Sequence, residues 1–141
     1  MAKQTISELT EGDTQRLEEQ REVVTRYLDD TGLQQFQAAA GKLGTLRALL
    51  DAKVFSPEQT YELQCMGIVL GDVFVQDMSF HWIMVEDEYG RDPAIRYGDT
   101  SVILYPLTMI SKRIEKNEPV DVFDLYNGVA AQAEKLIARE Q

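Results

Sequence analysis

The sequence predicts an α+β fold in which N-terminal helices, a three-stranded antiparallel meander and C-terminal helices follow one another. Two observations support this prediction. Apolar residues recur at helical spacing in both halves of the chain, and the period changes to two between Phe80 and Tyr105, where two short turns separate three apolar runs. The length of 141 residues suits one compact core, so we expect a single domain over 1–141, with 1–55 as a helical N-terminal extension.

The N-terminal extension contains two helical segments. The first is expected to begin near Thr10 or Asp13 and to end at about Asp30. Its apolar stripe is formed by Leu17, Val24 and Leu28. Its opposite, polar face is expected to carry Glu18, Glu19, Arg21 and Glu22. The second segment is expected to break or to cross another element tightly near Gly41 and Gly44, since glycine weakens a helix.

The stretch Ser56-Pro57-Glu58-Gln59 predicts the start of a long helix that reaches about Met78. Serine can cap the helix, proline suits its first position, and Gln59 can return the capping hydrogen bond. Between Cys65 and Val75 nearly every residue is apolar, which is typical of the most buried helix of a domain. Gly67 and Gly71 lie one turn apart and indicate a flat surface against which another element packs closely.

The meander follows this helix. Its predicted strands are Phe80 to Glu86, Ala94 to Tyr97 and Ser101 to Tyr105. Pro106 ends the sheet and can open a short helix. After a break at Glu118-Pro119, Asp121 is expected to cap the last helix.

Residues of the central region form an ordered pattern of conspicuous types. They are Leu63, Gly67, Leu70-Gly71, Trp82, Glu86 to Gly90, Pro106, Ile110 and Lys112-Arg113-Ile114-Glu115. This pattern resembles a bacterial family described as a domain of unknown function, here over roughly 56–125, which leaves 126–141 as the end of the C-terminal helix. The resemblance implies a small bacterial α+β domain, and it implies no established activity, substrate or catalytic residue. The first fifty residues lie outside the pattern.

Charge and composition exclude several classes of function. Twenty-four acidic against fourteen basic residues give a formal net charge of −10, so we expect no nucleic-acid partner, which would require a basic surface. No apolar run is long enough to span a membrane, and residues 1–12 show no secretory signal. We therefore expect a cytoplasmic protein.

The residue types that usually carry catalysis or bind metals are scarce. Cys65 is the only cysteine and lies in the most apolar stretch, where a thiol stays protonated and unreactive. His81 is the only histidine, and one histidine does not make a typical zinc site. No glycine-rich phosphate loop is present. We expect no catalytic residues, no metal and no cofactor.

The turn between the first two predicted strands gathers four carboxylates in seven residues. We single out Glu86, Asp87, Glu88 and Asp92 as candidate binding residues. They form either a solvated hairpin tip or an acidic surface for a basic protein partner. The second possibility describes a non-catalytic protein-binding module of the immunity or accessory type. The alternative is a small enzyme or small-molecule-binding domain with a pocket between the sheet and the helices.

Asp72 is the one acid inside the apolar run of the long helix. Because buried acids are rare, we expect its side chain to reach solvent. If it is buried instead, it needs a base, and we expect an ion pair with Arg113, or else with Arg96. A third possibility is that Asp72 lines a ligand pocket.

Overall fold

The computed structural model describes residues 3–140 and shows an α+β fold, as the sequence predicts. Its helices are α1 (Glu11–Thr25), α2 (Asp30–Gln35), α3 (Ala39–Asp51), α4 (Thr60–Met78), α5 (Ser111–Glu115) and α6 (Val122–Glu140). Its strands are β1 (Thr5–Ser7), β2 (Phe80–Asp87), β3 (Gly90–Tyr97) and β4 (Ile103–Leu104). A 3₁₀ turn, Pro106–Thr108, follows β4.

The sheet has four strands in the order β1-β2-β3-β4, one more than the three-stranded meander that the sequence predicts. The strand that was not predicted is β1, which pairs antiparallel with β2 and places Ile6 opposite Val85. A strand of three residues is too short to show an alternating pattern in the sequence. These residues are extended because they pair with β2. Within this sheet, β2, β3 and β4 pair antiparallel in chain order.

The ends of the N-terminal helices differ from the predicted ones. Thr10 caps α1 in a capping box, in which its hydroxyl accepts from the backbone N–H of Asp13 and the Asp13 carboxylate accepts from Thr10. The helix ends at Thr25 rather than near Asp30, because the Asp29 side chain accepts from Gly32 N and begins α2. The predicted tight crossing occurs at Gly41, which lies against the carbonyl of Gln35 at the end of α2.

The long helix α4 begins at Thr60, later than the predicted start at Ser56. Ser56 to Gln59 form a separate turn, in which the Gln59 side chain accepts from Ser56 N at 2.8 Å. The bond expected from Gln59 is therefore present, but it closes the turn before the helix. The predicted end at Met78 is confirmed.

The centre of the fold is α4, whose residues from Leu63 to Phe74 are almost all buried. The prediction of close packing at its glycines is confirmed. A Cβ on Gly67 would lie 2.5 Å from the carbonyl oxygens of Pro106 and Leu107, and one on Gly71 would lie 2.5 Å from the Trp82 ring. The 3₁₀ turn and β2 therefore pack directly on the backbone of α4.

One cluster of buried side chains includes residues of α1, α3, α4, β2, β3 and α6. The other face of the sheet carries a smaller cluster of Ile83, Val85 and Ala94. The single-domain organisation over 1–141 stays a prediction. Within residues 3–140, no helix is long and apolar enough to cross a membrane.

Candidate functional site

The four predicted binding acids lie at the β2–β3 hairpin, but the strands separate them. Glu86 is paired across the sheet with Arg91, and Asp92 with Val85, so the two acids point to opposite faces. The Asp87 carboxylate accepts from Tyr89 N at 2.8 Å and stabilises the turn, while Glu88 is exposed. Across residues 3–140, no group of three or more acidic, histidine or cysteine side chains is arranged to hold a metal ion.

An ion pair between a buried acid and an exposed arginine joins this hairpin to α1. The Asp13 carboxylate, only 3% exposed, accepts from both terminal nitrogens of Arg91 at 2.6 and 2.7 Å. The hydrogen bonds from Arg91, and then that from the Thr10 backbone, hold the pKa of Asp13 well below its usual range. Asp13 is therefore ionised at neutral pH, and the bidentate pair joins the hairpin to the first helix.

The structure corrects both the expected exposure and the expected partner of Asp72. Its side chain is 11% exposed and forms an ion pair with Arg21 of α1, whose Nε and Nη2 donate to the two carboxylate oxygens at 2.7 and 2.9 Å. The Trp82 indole N–H donates to the same carboxylate at 3.0 Å. The predicted partners are engaged elsewhere, since Arg113 donates to Met109 O, and Arg96 donates to the Asp99 and Thr100 carbonyls.

Arg21 was expected on the polar face of α1, and its position in the helix explains why it is not. It lies four residues after Leu17 and three before Val24, which places it on the buried stripe. This spacing is the signal in the sequence that could have identified the partner. The Arg21–Asp72–Trp82 cluster connects α1, α4 and β2, and neither of the cavities described below includes Asp72.

One cavity is a groove of about 740 Å³ that the sequence did not indicate. It lies between the end of α3, the start of α4, and the end of α5, and its walls include the loops that follow α3 and α5. Most of its lining is apolar: Leu49, Leu50, Val54, Phe55, Pro57, Leu63, Met66, Ile114, Pro119 and Val120. Several of these are loop residues, and apolar side chains beside Pro57 and Pro119 are the only sequence signal for the groove.

Two helices end at this groove in the same way. After α3, Lys53 has a positive φ of 51°, and the N–H groups of Lys53 and Val54 donate to the carbonyls of Leu50 and Leu49. After α5, Asn117 has a positive φ of 59°, and two hydrogen bonds of the same pattern close the helix. Both ends are Schellman motifs. The groove therefore lies beside two helix C-termini, which carry partial negative charge.

A second cavity of about 180 Å³ lies where α1 and α4 meet the sheet. The alternative prediction from the sequence is a ligand pocket between the sheet and the helices, and this cavity lies there. Asp92 of the predicted acidic set is among its lining residues. The larger groove, in contrast, lies among helix ends and loops.

The chain's one thiol is not placed for chemistry. Cys65 is fully buried in α4, and burial raises the pKa of its thiol to about 11. The chain's one histidine, His81, lies half-buried on β2.

A family model described as "Domain of unknown function (DUF3806)" matches residues 42–126. The chain belongs to this family. The predicted resemblance to a family of unknown function is thus confirmed, with the match beginning at residue 42, inside α3, rather than at 56. The DUF3806 region therefore contains the helix ends that border the large groove.

A crystal structure at 1.50 Å resolution from Bacteroides thetaiotaomicron VPI-5482 has a similar fold, with a TM-score of 0.73 and 14% sequence identity. The similarity covers 90% of this chain and 47% of the other, so this chain spans about half the length of that protein. At this identity the comparison supports the fold alone. No curated protein sequence matches the chain.

Proposed function

We propose that this DUF3806 chain is a non-catalytic protein-binding module whose groove receives an apolar, positively charged segment of a partner protein. The observation that carries the proposal is the open, largely apolar groove of about 740 Å³ beside two helix C-termini. A bacterial, cytoplasmic role of the immunity or accessory type, with a basic protein as partner, is the form of this proposal that fits the acidic composition.

The apolar character of the groove supports a binding role. Leu50, Val54, Ile114 and Val120 line it and are only half-buried, so they keep apolar surface in contact with water. Covering such surface is favourable by about 25 cal/mol per Å². The volume lies within the range of about 300–1,000 Å³ typical of binding clefts.

The charges around the groove support a positively charged occupant. Its charged lining residues are Asp51, Lys53 and Glu118, two acids against one base. The C-terminus of α3, a helix of 13 residues, borders the groove and adds partial negative charge. Lys or Arg next to apolar side chains is therefore the composition that complements this surface, and the net charge of −10 favours the approach of a basic partner.

The state of Cys65 supports binding over nucleophilic catalysis. A thiol enclosed in α4 and protonated at neutral pH cannot reach a substrate or attack it. Of the predicted acids at the hairpin, Glu86 and Asp92 point to opposite faces of the sheet, and the Asp87 carboxylate accepts a hydrogen bond within the turn.

A peptide selection tests the proposal. Random peptides displayed on phage are selected on the immobilised full chain, and an enriched peptide is synthesised and titrated. We expect enriched peptides to carry Lys or Arg beside apolar residues. The double variant Val54→Lys/Val120→Lys should weaken binding at least tenfold, because it inserts two cations into the apolar lining. Leu33→Lys, at a site in α2 that is 39% exposed and outside the groove, should leave binding unchanged.

Charge reversal at exposed positions separates a local effect from the effect of net charge. Asp51→Lys/Glu118→Lys should weaken peptide binding about tenfold, since it replaces two attractive interactions with two repulsive ones. Asp99→Lys/Glu134→Lys changes the net charge equally at exposed sites outside the groove and should have a smaller effect. Equal losses in both variants, or selection of acidic peptides, would contradict the proposed occupant.

A further inference from the structure

The smaller cavity of about 180 Å³ contains a polar side chain that the fold leaves without a partner. Gln20 of α1 lines this cavity and is only 8% exposed. Its amide forms no hydrogen bond with another side chain or backbone group of residues 3–140. All fully enclosed side-chain N and O atoms in that range have partners, so the unpaired atoms of the Gln20 amide retain contact with solvent, and Gln20 lines the cavity. A mostly enclosed amide with unpaired atoms beside a cavity indicates a place for a ligand or for water.

A second amide faces the same space from the opposite helix. Gln64 of α4 also lines the cavity, is half-buried, and has no side-chain hydrogen bond within the described part of the chain. Apolar groups complete the walls: Leu17, Met84, Pro93 and Leu107. Two neutral amides between apolar walls resemble the small number of oriented polar groups found in small-molecule sites.

The charged groups around the cavity are already paired or lie at its exposed side. Asp13 and Arg91 satisfy each other through two hydrogen bonds and together present no net charge. Arg16 and Asp92 are exposed, and Arg16 has a single long contact of 3.4 Å with Asp13. An ionic group placed deep in the cavity would lose its hydration without gaining a counter-charge.

From this arrangement we infer that the cavity is a binding site for a small neutral molecule that presents an amide edge, a C=O beside an N–H. The glutamine amides each carry one acceptor and two donors, so they can pair with both groups of such an edge. The cavity volume of about 180 Å³ suits a ligand of the size of a single small ring. This site is independent of the large groove and of its proposed peptide partner.

Titration of the ¹⁵N-labelled full chain with small amides tests this assignment. The probes are nicotinamide, uracil and 2-pyrrolidone, and the matched competitor is nicotinate, which replaces the amide of nicotinamide with a carboxylate. We expect at least one of the three amides to shift the side-chain NH₂ signals of Gln20 and Gln64, with a Kd of about 10 mM or tighter. Nicotinate should bind at least tenfold more weakly than the best of them.

Variants show whether the response comes from this cavity. Gln20→Leu should weaken binding of the best amide about tenfold or more and should leave the protein folded, because an apolar group of similar size replaces an unpartnered amide. Gln64→Leu independently removes the second amide that lines the cavity. Gln15→Leu changes an exposed glutamine of the same helix and should leave binding unchanged. The assignment is overturned if no amide probe binds up to about 20 mM, if nicotinate binds as tightly, or if folded Gln20→Leu and Gln64→Leu variants bind like the wild type.

Discussion

Polar residues on the buried side of α1 determine how the first helix attaches to the rest of the protein. Asp13, Gln20 and Arg21 occur three or four residues from the apolar positions Leu17 and Val24. Two of the three pair with groups that lie far away in the sequence, Asp13 with Arg91 and Arg21 with Asp72. Asp13, Arg21 and Asp72 are mostly enclosed, so removing the partner of any of these three leaves a poorly solvated charge.

Asp72→Asn should destabilise the protein by about 2 kcal/mol, because it removes the negative charge that faces Arg21 while keeping the size of the side chain. The free energy of unfolding from urea titration at pH 7 measures the effect. Glu18→Gln is the matched control, since Glu18 pairs with the same arginine but is exposed, and it should change stability by less than about 0.5 kcal/mol. A neutral Asp72→Asn variant would mean that the ion pair is not formed in solution.

The lowered pKa of Asp13 predicts a loss of stability in acid. Because the carboxyl binds a proton more readily in the unfolded chain, its contribution is complete above the unfolded pKa of about 3.9 and decreases as the pH falls below that value. Urea titrations between pH 6 and pH 2 should show the stability difference between wild type and Asp13→Asn shrinking with falling pH. A difference that stays constant down to pH 2 would contradict the proposed cause of the shift.

At the scale of elements, the middle of α4 was predictable and its start was not. The run from Cys65 to Val75 indicates burial on every side, and the two glycines indicate close packing, because both properties belong to the helix itself. The start at Thr60 depends on how the preceding turn closes, and β1 depends on pairing with β2. Contacts with other segments decide these features, and local patterns do not contain them.

The contact at Gly67 provides a test of the packing around α4. Gly67→Ala should destabilise the protein by about 1–3 kcal/mol, since the new Cβ would meet backbone carbonyls that cannot rotate away. Gly128→Ala, in α6, has open space around the added Cβ and should stabilise by up to about 1 kcal/mol through helix propensity. Thermal unfolding of both variants measures the contrast, and a stabilised Gly67→Ala variant would mean that the 3₁₀ turn does not lie on α4.

At the scale of the whole molecule, the features that matter for function arise from distant parts of the chain. The ion pairs join residues 51 and 78 positions apart, and the groove is built from three helices and two loops. The sequence indicated the acidic hairpin because its carboxylates are adjacent, yet strand alternation separates them. It could not indicate the groove, whose apolar residues come together only when α3, α4 and α5 pack.

The most direct measurement of the proposed function is a map of backbone amide shifts on the ¹⁵N-labelled chain as a selected peptide is added. The account predicts that the largest changes fall on residues 49–57 and 114–120, around the groove, and that the affinity decreases as salt concentration rises. Changes centred on the hairpin at 86–92, or an affinity independent of salt, would contradict the assignment of the groove as the site for a positively charged partner.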